Sequence, residues 1–131
     1  MKKTLILFTL LFSVIFSSAS FGDWTWCCSA ANGTHEHYID FEKIKKVDGY
    51  TYYWTLADLL EPDKDGDFSY VGYLQGDCKL SRKKNLSEFY YTQPMGIGSV
   101  TNNPIKNPEW TYNPPGSAHE EMLKRVCDYV K

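Results

Sequence analysis

Apolar and polar positions alternate through most of this chain and change to a helical period only at its end. Residues 24–29 (Trp-Thr-Trp-Cys-Cys-Ser) read as a first strand. Asn32-Gly33 is a strong hairpin signal, and residues 35–40 return as a second strand. Residues 41–46 are polar and suit a short helical turn, and Asp48-Gly49 marks another turn. Residues 50–57 are the most β-prone run, with Tyr50, Tyr52, Trp54 and Leu56 on one face. Residues 61–67, with Pro62 and Asp65-Gly66, predict a loop; residues 68–78 and 80–92 predict two further strands. Residues 95–108 are rich in Gly, Asn and Pro and predict an irregular loop, followed by a short strand over 109–112.

The period changes after Pro114-Pro115-Gly116. Ser117 supplies a hydroxyl N-cap and Glu120 stands at N3, the arrangement of a capping box. Met122, Leu123, Val126, Cys127 and Val130 then fall at i, i+1, i+4, i+5 and i+8, one apolar stripe. A helix with one apolar face must lie on something, and the strands before it are what the chain offers. The expected class is α+β: an antiparallel meander of about six strands with a C-terminal helix packed on one face.

The beginning of the chain belongs to neither pattern. Lys2 and Lys3 precede an apolar run that ends in Ser17-Ser18-Ala19-Ser20. Basic start, short apolar run and small residues are the parts of a secretory signal peptide, and the run is shorter than the ~20 residues that span hydrocarbon. Cleavage fits after Ser20 or after Gly22, and Gly22 is favoured. This gives a leader over residues 1–22 and one exported domain over residues 23–131. Trp26 before Cys27 does not suit a lipid-acceptor signal, so no lipid anchor is expected. Without Lys2 and Lys3, 12 basic side chains face 16 acidic ones. That balance argues against nucleic acid, whose phosphates need a basic face.

Export changes the reading of the four cysteines, since disulfides persist in oxidising compartments. Cys78 lies between two predicted strands and Cys127 on the apolar stripe of the helix, so a Cys78–Cys127 staple is expected. Cys27-Cys28 are adjacent in a strand, where alternation sends them to opposite faces and a vicinal bridge needs a distorted peptide. With Asn32-Gly33 as the turn, Cys28 faces His37 and shares a side with His35. One thiol and two imidazoles make Cys28, His35 and His37 a candidate Zn or Cu site, against the plainer reading of two surface histidines beside a cysteine.

Asp58, Glu61, Asp63, Asp65 and Asp67 crowd one loop, but Gly66 is displaced from the EF-hand position and Leu74 stands where its bidentate Glu belongs, so a solvated loop is expected. Lys79, Arg82, Lys83 and Lys84 form the basic cluster. Along a strand Arg82 and Lys84 share a face, making Lys79, Arg82 and Lys84 a candidate contact for a polyanion or partner; the alternative is an edge strand blunted by charge. Met95-Gly96-Ile97-Gly98-Ser99 has neither lysine nor following helix for a phosphate loop. No nucleophile, base and orienter assemble, His119 is expected to be exposed, and no enzyme is expected. Aromatic residues make up 16% of the chain. Most are expected between sheet and helix, with a remainder on the uncovered face for an apolar ligand or protein.

Several segments together resemble the surface-adhesin protein E family. They are Tyr38-Ile39-Asp40-Phe41, Tyr53-Trp54-Thr55-Leu56 with Asp58, Gly76-Asp77-Cys78, Pro94-Met95-Gly96-x-Gly98, Glu109-Trp110, Pro114-Pro115-x-Ser117 and Val126-Cys127. The resemblance implies an antiparallel sheet with a C-terminal helix tied to it by a disulfide, here Cys78–Cys127. The family's founding member is a lipoprotein adhesin that binds host matrix and serum proteins and also haem. The resemblance therefore implies non-catalytic protein binding at the cell envelope or surface. A soluble periplasmic carrier of a small ligand such as haem is the alternative, and a structural envelope accessory a third.

Overall fold

The computed structural model describes residues 22–131; the expected leader, save its last residue Gly22, lies outside the described residues. Eight strands, β1 (Thr25–Ser29), β2 (His35–Ile39), β3 (Lys45–Val47), β4 (Tyr50–Leu59), β5 (Ser69–Asp77), β6 (Arg82–Gln93), β7 (Ile97–Pro104) and β8 (Thr111–Tyr112), are followed by one helix, α1 (Ala118–Tyr129). The strands form one antiparallel sheet in the order β1-β2-β4-β5-β6-β7. β3 continues alongside β4 beyond β2, and β8 alongside β6 beyond β7. The meander thus has six positions, two of them filled by broken strands. The break between β2 and β3 is a 3₁₀ turn, Phe41–Lys43, capped where Asp40 accepts from the Glu42 amide.

α1 starts as its sequence dictates. The Ser117 hydroxyl accepts from the Glu120 amide at 3.2 Å, and the Glu120 carboxylate accepts from Gly116 N–H, one residue before the cap. Ala118, Met122, Leu123 and Val126 are buried on the sheet. There Met122, Leu123 and Val126 meet Cys27, Ile39, Tyr53 and Leu74 in the larger core cluster. Gly76 lets the helix come this close: a Cβ on it would lie 2.8 Å from Leu123 Cδ1. The Cys78–Cys127 disulfide joins the end of the helix to the β5–β6 turn, with Cα atoms 5.7 Å apart.

Two expectations need correction at this level. Residues 95–108 are not an irregular loop, because Ile97–Pro104 form β7, paired to β6. All eight of its residues are exposed, so it has no buried alternation for a pattern to register. Nor do most aromatics lie under the helix. Tyr53 is buried there, whereas Leu56, Val71 and Tyr91 form a second cluster with Trp24, Tyr38, Trp54 and Phe89. Strand register explains this: Trp54 pairs with Tyr73 and Val71 with Phe89, on the face opposite to Tyr53.

Candidate functional site

The helix-free face carries a row of half-buried aromatic rings. Tyr73 stacks on Trp54 with centroids 4.6 Å apart, with Tyr52 6.1 Å from Tyr73 and Phe89 5.9 Å from Trp54. One end of the row is covered by the 3₁₀ turn Pro94–Gly96. That turn is held by Met95 N–H donating to Asp58 and Gly96 N–H donating to Ser69 Oγ. Beside it, Trp24, Trp54, Phe89 and Tyr91 line an apolar cleft of about 280 Å³. The Trp24 indole N–H is buried there and has no hydrogen-bond partner among the described residues.

The other end of the row is basic. Trp110 packs against Tyr50 at 5.4 Å. Arg82 and Lys84 both lie over its ring, at 4.4 and 4.6 Å from the centroid. Arg82 also donates to Asp77 at 2.9 Å. Burial works against the Asp77 charge, but the Arg82 hydrogen bond and the Lys79 and Leu80 amides outweigh it and hold the carboxyl below its usual range. Arg82 and Lys84 share a face as the strand period requires, and Lys79 sits in the adjoining turn, lining a cleft with Arg82. β6 is an interior strand, so these charges do not blunt an edge. Trp110 belongs to this corner, although its sequence context marks it only as part of a short strand.

Lys83 points the opposite way. It is buried, donates to Asn85 Oδ1 at 3.0 Å, and burial lowers its pKa. Next to it stands His119, which is partly buried rather than exposed. Burial, then Lys83, then His37 depress its pKa to about 4. His37 and His119 meet edge to face at 5.5 Å and line a cleft of about 350 Å³ that also takes in Asn85, Ser87 and Glu88.

The metal expectation needs correction. Cys28 pairs with His37 as expected, and His35 stacks on His37 at 6.0 Å. Yet among the described residues no three His, Cys, Asp or Glu side chains converge to hold a metal ion. Cys28 is engaged elsewhere, beside a bulge in β1 between Trp26 and Cys28. The bulge cancels the alternation and turns Cys27 to the same side of the sheet as Cys28, with Cys27 Sγ 2.8 Å from Cys28 Sγ and Cys28 Sγ 3.6 Å from the Ala118 carbonyl. The acidic loop is organised by its own backbone: Asp63 accepts from the Asp65 and Asp67 amides and from the Tyr70 hydroxyl.

The family model described as surface-adhesin protein E matches residues 24–128. The chain belongs to this family. Its fold is similar to two solved structures of Haemophilus influenzae protein E. One matches with a TM-score of 0.62 at 14% identity, covering 81% of this chain and 90% of the other. The second gives 0.58 at 13%, covering 80% and 83%. No curated protein sequence matches. The segments that carry the family resemblance do structural work. Gly76 admits the helix, Asp77 holds the turn and Arg82, and Cys78 staples the helix; Ile39 is core, and Ser117 caps α1. Among the described residues no helix is long and apolar enough to cross a membrane.

Proposed function

We propose that this member of the surface-adhesin protein E family is an exported envelope domain that binds a protein partner through its helix-free face. The observation that carries the reading is Trp110 under Arg82 and Lys84 at the open end of the Tyr52–Tyr73–Trp54–Phe89 row. Aromatic and Arg side chains are the residue types that dominate protein interfaces. The three cations Lys79, Arg82 and Lys84 on a net acidic domain select an acidic segment of that partner, and its apolar side chains have the Trp24–Trp54 cleft to enter. The family and its adhesin description support a location at the envelope, periplasmic or at the surface, and the leader pattern of residues 1–22 supports an N-terminus near Asp23.

The test uses purified chain against a panel of matrix and serum proteins, with Lys84→Glu and Tyr52→Ala as variants. The expected result is binding to an acidic member of the panel, weakened about tenfold or more by either variant, equal to about 1.4 kcal/mol, with unchanged thermal unfolding. Equal binding by both variants, or none by the parent, would overturn it. The cleft lined by His37 and His119 favours a second reading, carriage of a small ligand. A shift of the His37 and His119 ring signals in an NMR ligand screen supports that reading; its absence removes it.

A further inference from the structure

Cys27 and Cys28 are the two free thiols of a chain whose other two cysteines are already bridged. In a regular strand their side chains would point to opposite faces. Here the extra residue at the β1 bulge, Cys27, puts both sulfur atoms on the helix side, 2.8 Å apart. The two are unequal: Cys27 is 1% exposed in the core, whereas Cys28 is only partly covered. Cys28 also reaches the helix backbone, through the Ala118 carbonyl. A disulfide elsewhere in the chain marks a compartment that oxidises thiols.

We propose that Cys27 and Cys28 form a reversible two-electron thiol–disulfide couple beneath the first turn of α1, with a protein or small-molecule disulfide as the oxidant. The step balances as ordinary exchange. Cys28 Sγ, as thiolate, attacks one sulfur of the incoming disulfide, forming a mixed disulfide and releasing one thiol. Cys27 Sγ, passing its proton to the departing sulfur, then attacks Cys28 Sγ, which breaks the mixed bond, closes the Cys27–Cys28 ring and releases the second thiol. Two protons and two electrons leave the pair, and the oxidant departs as two thiols. Burial pushes Cys27 up to about 12, which keeps it protonated. Burial also raises Cys28, but the hydrogen bond from Cys27 eases its ionisation. Cys28 is therefore the entry point and Cys27 the resolving group. Ring closure consumes the S–H that reaches Ala118 O, so the helix start loses a contact in the oxidised state.

The test equilibrates the exported protein, without denaturant, in a series of reduced and oxidised glutathione, quenches it with an alkylating reagent and reads intact mass and peptide maps. The expected result is that both alkylatable thiols disappear together in one transition, the protein losing two hydrogens, while Cys78–Cys127 stays intact. Cys27→Ser should instead hold glutathione on Cys28 as a lasting adduct. Three results would each overturn the proposal: both thiols still alkylated in excess oxidised glutathione, glutathione retained on the parent chain at equilibrium, or Cys27 or Cys28 recovered joined to Cys78 or Cys127.

Discussion

His119 shows how one side chain ties stability to pH. Unfolded, an imidazole takes up its proton near pH 6.5; folded, burial and then the neighbouring Lys83 and His37 delay this to about pH 4. Between these values the unfolded chain binds the extra proton, so stability is full above 6.5 and falls as pH drops, by at most about 1.4 kcal/mol per pH unit. His37, lowered first by its own burial, acts in the same direction. Thermal unfolding between about pH 7 and 5 should therefore show a falling midpoint, and His119→Gln should flatten the curve. An unchanged slope in that variant would place the sensitivity elsewhere. The sequence gives His119 only as a helix first-turn residue; Lys83 and His37 reach it from two distant strands.

At the scale of elements, the contact between α1 and the sheet depends on a missing side chain. A methyl group at position 76 would meet Leu123 Cδ1 at 2.8 Å and Tyr53 Cε1 at 3.2 Å, both in the main core. Gly76→Ala should push the helix outward and lower stability by roughly 1–3 kcal/mol, the usual cost of overpacking. A urea titration measures this, with backbone entropy working in the opposite direction. A midpoint equal to the parent's would mean that Leu123 repacks freely. The helix itself was readable from Ser117, Glu120 and the apolar stripe. β7 was not, because an exposed edge strand buries nothing and its Gly, Asn and Pro content is that of a loop.

Across the whole molecule, the Cys78–Cys127 bridge is the covalent tie between the last element and the middle of the sheet. The bridged residues are 49 apart in sequence, for which loop-closure entropy gives roughly 4 kcal/mol. A helix of 12 residues is marginal alone in water. Replacing both cysteines by serine should thus cost about 2–5 kcal/mol, with amide exchange accelerating first in α1 and last in β4 and β5. Uniform acceleration would show that helix and sheet open as one unit.

What the chain itself determined follows from local chemistry. Asn32-Gly33 placed the first hairpin, alternation placed β4, β5 and β6, and capping with helical period placed α1. Pairing of Cys78 with Cys127 followed because Cys78 lies between two legible strands and Cys127 on the apolar stripe of a legible helix. Tertiary structure decided the rest. Which sheet face the helix covers depends on register and on Gly76, and that choice left Trp54, Tyr73 and Phe89 on the open side. The bulge in β1 depends on pairing with β2, and it turned Cys27 to the same side of the sheet as Cys28. Trp110 met Arg82 and Lys84 because β8 pairs with β6, a contact between residues far apart in sequence that no short-range pattern encodes.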